Sequence, residues 1–313
     1  MGISRKEALD YFQSNDLIGI GMEADAIRRH IHPEGVVTYT LDGQIDYSNP
    51  ANNTTYDLII ESTSHIAANS GTAIILQGEV TPIHTIPWFK GLFRTVKQQF
   101  PTLHLHSLSA TEILAIAKQS GSTIEDTLAH LQDAGLDSIS SNDAGILDNA
   151  VQRQITAEDW LTVHRTAHTQ GMQTTATMTF GAGETIEHRL NHLEKIHQLQ
   201  EETRGFISFT PLSFAPQSPS ASGFEEATAV EYLKTLAISR MCLDDIENVQ
   251  SNLETQGLKV VQVSLRFGAN DAGSLLLAKG ANAATEEQVR QVIRDAGFKP
   301  VQRGTLYRTM FLN

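Results

Sequence analysis

The chain has 313 residues, of which 40% are hydrophobic and 19% charged, ample apolar material for a large core. Its 23 Lys+Arg stand against 36 Asp+Glu, a net charge of −13 that repels a phosphate backbone and argues against a nucleic-acid partner. The single cysteine, Cys242, excludes an internal disulfide, a multi-cysteine zinc site and any cluster held by three thiolates.

Residues 1–33 read as a helical lead-in with no long apolar segment, and no run of eighteen apolar residues follows, so a cytoplasmic protein without a membrane span is expected. From there, β-rich runs alternate with helical patterns. The predicted strands are 36–47, 72–76, 104–108, 138–139, 174–180, 206–214, a weak run at 248–252, and 259–267. Three helix starts fit the capping box: Ser109 with Glu112, Ser122 with Glu125, and Thr285 with Gln288. Glycines after Asp133-Ala and Asp295-Ala mark helix stops.

About eight alternations over residues 34–275 predict an α/β fold, a (β/α)8 TIM-type barrel in a single domain, with residues 276–313 forming a C-terminal helix and strand that close one end. The polar strand tips spread along the whole chain favour a barrel over an open sheet, because a barrel gathers every tip at one mouth.

Twelve histidines raise the question of a metal. His164/His168 and His188/His192 are i, i+4 pairs on helical patterns, but neither has the H-E-x-x-H arrangement, and barrel-wrapping helices turn polar residues outward, so surface positions are expected. His106 ends a strand and is expected near the mouth. Gly181-Ala-Gly183-Glu184 follows a strand and opens a helix whose free N–H groups suit an anion or ribose edge, although a tight turn explains the glycines as well. Arg266, Asn270 and Asp271 flank the end of the run at 259–267, either as a grip for a polar molecule or as a tie across the barrel seam. Cys242 lies on a helical pattern and reads as a buried, inert thiol.

Several runs resemble one family: His32-Pro-Glu-Gly-Val-Val-Thr-Tyr39, Gly135-Leu-Asp-Ser-Ile139, Thr175-Ala-Thr-Met-Thr-Phe-Gly181 with Glu184-Thr185, Glu231-Tyr-Leu-Lys-Thr-Leu-Ala-Ile-Ser-Arg240, and Leu265-Arg-Phe-Gly-Ala-Asn-Asp271. They are similar to cyclic dehypoxanthinyl futalosine synthase, the radical S-adenosylmethionine enzyme of the futalosine route to menaquinone, with aminofutalosine synthase and the deazaflavin (F420) synthase subunits as relatives. The resemblance covers nearly the full length and implies a barrel of the radical S-adenosylmethionine kind.

The departures are concentrated. In the family a Cys-x3-Cys-x2-Cys triad after the first strand holds a four-iron four-sulfur cluster; here Ala51, Thr55 and Leu58 stand at those positions. Methyl, hydroxyl and isobutyl groups do not ligate such a cluster. The family's Gln-Gly-Gly, which meets the methionine part of S-adenosylmethionine, is Gln77-Gly78-Glu79, and its Pro-Gly-Gly-Gly-Ala-Glu is Ser140-Ser-Asn-Asp-Ala-Gly145. The family's histidine in Phe-Gly-His-x-Glu-Thr is Ala182, and its Pro-Trp is Pro211-Leu212.

The expectation is therefore a cluster-less barrel repurposed to bind a nucleoside-like or aromatic small molecule, with S-adenosylmethionine among the candidates. Glu79, His106 and Glu184 would move protons, with Gln77, Ser138, Thr175, Thr177, Arg266, Asn270 and Asp271 around the ligand and no metal. A non-catalytic scaffold, working as a homodimer or on a partner enzyme, and a radical enzyme of the menaquinone pathway are the alternatives.

Overall fold

A computed structural model describes residues 1–48, 56–140, 143, 145–147, 155–214, 227–277, 284–308 and 310–311. Two helices lead in, α1 (Arg5–Gln13) and α2 (Leu17–Ile31), capped by the Ser4 and Asp16 side chains. Then follow β1 (Val36–Asp46), α3 (Tyr56–Ala68), β2 (Ala73–Gln77), α4 (Ile86–Gln99), β3 (His104–Leu105), α5 (Ala110–Ser120), α6 (Ile124–Asp133), α7 (Ala157–Thr169), β4 (Thr174–Phe180), α8 (Ile186–Thr203), β5 (Phe206–Ser213), α9 (Ala229–Cys242), β6 (Asn248–Val249), α10 (Leu253–Ser264), β7 (Asp271–Leu277), α11 (Glu286–Asp295), β8 (Lys299–Arg303) and β9 (Met310–Phe311).

Apart from antiparallel β9 on β8, the strand pairings are parallel, as helical crossovers require. One sheet runs β3-β2-β1-β8-β9 with β7 also on β1; the other runs β4-β5-β6. Single parallel bridges link them: His106 with Ser138, Gly145 with Thr179, and Gln250 with Asp271. The result is a curled, mainly parallel α/β sheet. Its apolar strand faces meet the helices: Tyr39, Ile74, Leu76, Ala176, Met178 and Phe209 are all buried in the core.

The predicted strand at 259–267 is a helix instead. Its three valines read as β-branched alternation, yet Asn252 caps the segment, and Val261 and Ser264 are buried at helical spacing while Val263 is 43% exposed. Gly257 interrupts α10 with φ 68°, a left-handed turn that suits glycine. The barrel strand predicted there is β7, which begins at Asp271, so residues 266–271 lie where a strand starts rather than where one ends. The predicted strand at 138–139 is a single bridge at Ser138. The capping boxes at Ser109 and Thr285 are present, whereas α6 is capped by Thr123, whose hydroxyl accepts from Asp126 N–H. After α11, β8 pairs with the first half of β1, register Val36↔Lys299 to Tyr39↔Gln302.

Candidate functional site

Alternation along the strands decides what faces the interior. In β1 the residues at every second place are Thr38, Thr40, Asp42, Gln44 and Asp46, while Val37, Tyr39, Leu41 and Ile45 pack into the core. In β4, Thr175, Thr177 and Thr179 alternate with buried Ala176, Met178 and Phe180. The polar faces enclose a cavity of about 350 Å³, lined by Asp42, Gln44, His106, the three β4 threonines, Thr210, Leu212, Gln250, Ser274, Leu276 and Arg303 among others. That volume suits a small organic molecule.

Asp42 is the buried acid of this cavity. Burial pushes its carboxyl above the usual carboxylate value, against the hydroxyls of Thr40, Ser274 and Thr72 and the charge of Arg303. Ser274 Oγ donates to it at 2.7 Å and Thr72 Oγ1 at 3.2 Å. Arg303 reaches the cavity from β8 and donates through Nε to Asp271 Oδ2 at 2.5 Å, an oxygen that also accepts from Thr38 Oγ1 at 2.5 Å. A buried pair of this kind holds its charges only because both partners are present.

His106 lines the cavity, its Nδ1 2.6 Å from Ser138 Oγ. Burial, with the charges of His104 and Arg303, holds its ring down to about 3, so it is neutral at ordinary pH. Thr175 and Thr177 also line the cavity, and Ser138 sits behind His106.

The other predicted site residues take structural places. Glu184 accepts from Gly181 N–H at 2.8 Å and Ala182 N–H at 2.9 Å and from Arg189 Nε at 2.7 Å. Burial raises its carboxyl, but these donors outweigh it and the net direction is down. The N–H groups expected to hold an anion thus hold the protein's own carboxylate. Glu79 is exposed on the loop after β2. Gln77 ends β2 with its carbonyl on Tyr47 N–H, outside the cavity lining. Arg266 is exposed, donates to Ala296 O and lies 4.4 Å over the Phe298 ring. Asn270 accepts from Arg240 Nη2 at 2.6 Å and Val249 N–H at 2.9 Å, a buried staple between α9, β6 and β7. Asp271 is the partner of Arg303 at the start of β7. All three misplacements follow from reading 259–267 as a strand, which put its end at the mouth.

Of the two histidine pairs, His188 is partly exposed in the capping box at the start of α8, but the other three are not surface residues. His164 and His192 are fully buried and His168 half-buried. His192 accepts Leu147 N–H at Nδ1 and lies with Nε2 2.9 Å from Thr177 O; His164 and His168 share Thr174 Oγ1 at 2.9 and 2.8 Å. They act as polar staples between α7, α8 and β4. Cys242 is wholly buried, and burial pushes its thiol up to about 12, as expected for an inert group.

At the ends of β1 and β2, described backbone N–H groups are taken by the protein's own side chains. Gly78 N–H donates to Glu112 Oε1 at 3.0 Å, which also accepts from Tyr47 Oη at 2.5 Å. Glu79 N–H donates to Ser48 Oγ at 2.9 Å, and a Cβ on Gly78 would lie 2.8 Å from Ser48 Oγ and 2.9 Å from Asp46 Oδ1. Asp143, in the run that replaces the glycine-rich loop, accepts from Thr111 N–H and Oγ1 at 2.8 Å each and from Trp160 Nε1 at 3.3 Å. Ala51 and Thr55 lie outside the described residues; Leu58 is 39% exposed on α3. With one cysteine in the chain, buried in α9, the thiolates that hold an iron–sulfur cluster are not among its residues.

The fold is shared with crystal structures of methylornithine synthase (PylB), TM-score 0.73 at 15% identity over 95% of this chain and 94% of that one, and of HydG, a maturase of the [FeFe]-hydrogenase, TM-score 0.73 at 11% identity over 98% and 74%. The class is the curled, parallel-rich α/β fold of these two proteins. Residues 203–312 match the CofH/MqnC C-terminal region model. The chain is 31% identical to the cyclic dehypoxanthine futalosine synthase of Halalkalibacterium halodurans over 97% of its own length and 90% of the relative. It is 33% identical to the 5-amino-6-(D-ribitylamino)uracil--L-tyrosine 4-hydroxyphenyl transferase of Methanothermobacter thermautotrophicus over 98% and 94%. The chain belongs to the CofH/MqnC family. Among the described residues no helix is long and apolar enough to cross a membrane.

Proposed function

We propose that this protein is a cluster-less member of its family that binds a nucleoside-like or aromatic small molecule in the polar cavity and whose chemistry is polar rather than radical. The supporting observation is the donor set: one buried thiol in the whole chain, against a cavity wall that keeps Asp42, His106, three threonines and Arg303 turned inward. The succession β1, β2, β3, Ser138 to Gly145, β4, β5, β6, β7 and back to β1 supports a closed eight-stranded barrel around that cavity, with β8 beneath it. His106 serves as proton acceptor and Asp42, whose carboxyl is biased toward its protonated form by burial, as donor.

Leu212 is part of the cavity lining where the family has tryptophan, which leaves room for a ligand unlike the family's own. The test is titration calorimetry of the full chain with adenosine, 5-amino-6-(D-ribitylamino)uracil, tyrosine and S-adenosylmethionine, repeated on Leu212→Trp. Saturable heat with at least one probe, lost when the larger ring fills the cavity, is expected. Heat that L212W leaves unchanged places the ligand elsewhere, and no heat from any probe removes the proposal.

A further inference from the structure

A line of polar groups crosses the wall between the cavity and the outside. His106 faces the cavity; its Nδ1 lies 2.6 Å from Ser138 Oγ, and the same oxygen lies 2.9 Å from His104 Nε2. His104 Nδ1 faces Asp137 Oδ2 at 3.8 Å, and that oxygen accepts from Lys97 Nζ at 2.5 Å and Leu105 N–H at 2.8 Å. Asp137 and Lys97 are partly exposed, with side-chain exposures of 32% and 23%. Ser138 is fully buried and its hydroxyl has one proton, so the arrangement that satisfies it has one imidazole donating and the other accepting. The carboxylate decides which. Across 3.8 Å the Asp137 charge, not a hydrogen bond, favours the His104 proton at Nδ1, leaving Nε2 to accept from Ser138, whose lone pair then accepts from His106 Nδ1–H.

We propose that Asp137, acting through His104 and Ser138, holds His106 in the Nδ1–H tautomer and so presents an unprotonated Nε2 to the cavity, the acceptor for an O–H or N–H group of the bound molecule. The inference rests on the cavity being the ligand site; Asp137, His104 and Ser138 are positioning residues. When the ligand's proton transfers, its X–H bond breaks and the His106 Nε2–H bond forms. The Nδ1 proton passes to Ser138 Oγ, the hydroxyl's own proton passes to His104 Nε2, and the His104 Nδ1 proton goes to Asp137 Oδ2, a step that requires the 3.8 Å gap to close to hydrogen-bond distance. Burial disfavours imidazolium at both rings, which favours a concerted transfer that leaves no charge in the wall.

Two-bond ¹H–¹⁵N correlation spectra of the full chain labelled at histidine nitrogen read the tautomers directly and need no ligand. His104 and His106 are both expected as Nδ1–H. In Asp137→Asn the position facing His104 stays a carbonyl oxygen, because Lys97 Nζ and Leu105 N–H donate to it, but its charge is lost, so His104 and His106 are both expected to become mixtures of tautomers. Ser138→Ala leaves the Lys97–Asp137–Leu105 contacts in place and keeps the test open should D137N not fold: His104 stays Nδ1–H and His106 loses its single tautomer. Nε2–H on His106 in the parent chain, or a His106 tautomer that neither variant moves, overturns the proposal. Expected tautomers without calorimetric heat from any probe would overturn the ligand reading alone.

Discussion

Two regions of one interior have diverged. In the corner formed by the ends of β1 and β2 with the start of α5, polar groups among the described residues are partnered from within: Glu112 takes Gly78 N–H, Ser48 takes Glu79 N–H, and Asp143 clasps Thr111 and Trp160. Along the wall from β3 to β7 the polar side chains instead line an open cavity of about 350 Å³. Closure consumes hydrogen-bonding capacity and returns rigidity; the open wall keeps that capacity for a ligand. Substitutions in the corner should therefore register in stability, and those on the wall in binding.

Acid separates the buried histidines from the buried carboxyls by sign and gives the largest effect. His104, His106 and His168 are held down to about 4, 3 and 4 by burial, and His164 well below its ordinary value. The folded chain thus binds fewer protons than the unfolded one below pH 6.5. This stability is complete above 6.5 and is lost as pH falls toward 4, by about 1.4 kcal/mol per pH unit for each ring at full slope. Glu112 and Asp143 are raised by burial, so their contribution runs the other way, lost as pH rises from their ordinary values through their raised ones. Urea midpoints between pH 7 and 5 should fall steeply, and His164→Phe should flatten the slope; an unchanged slope in the variant contradicts the assignment.

Arg303→Met leaves Asp271 charged and unpaired in the core and should cost about 3–5 kcal/mol in urea unfolding; a loss under about 1 kcal/mol would mean that Asp271 finds another partner. Glu112→Gln sharpens the corner. An amide has one acceptor oxygen for donors that now reach both carboxylate oxygens from Ser109, Gly78 and Tyr47, so a cost of about 1–3 kcal/mol is expected, with ligand heat retained. Thr179→Val on the wall is the smallest and the mirror case. Stability should stay within about 0.5 kcal/mol while affinity for a bound probe falls several-fold, as for one hydrogen bond of about 1 kcal/mol.

Much of this architecture was legible in the sequence. The runs at 36–47, 72–76, 174–180 and 206–214 match β1, β2, β4 and β5 closely because alternation and turn residues agree there. What misled was local: Val260, Val261 and Val263 carry β-branched side chains, and only packing of the capped segment against its neighbours made α10 helical. That one error carried Arg266, Asn270 and Asp271 to the wrong end of a strand. Buried His164 and His192 were missed because a histidine's partners, here Thr174 Oγ1 and Thr177 O, come from strands distant from its own turn of helix. Asp42 and Gln44 had a readable signal, the polar alternation Thr38, Thr40, Asp42, Gln44 within an otherwise apolar strand. Arg303 had none, since nothing local shows that β8 pairs with the first half of β1 and brings its last residue to the cavity.

The central claim is that this chain does not build an iron–sulfur cluster. The direct measurement is anaerobic reconstitution of the full chain with ferrous iron and sulfide, followed by gel filtration, iron and sulfide analysis, and electron paramagnetic resonance after dithionite reduction. The account expects protein that elutes with no stoichiometric iron or sulfide and no cluster signal. Four irons and four sulfides per chain, with a reduced-cluster signal that S-adenosylmethionine perturbs, would contradict it and return the protein to radical chemistry.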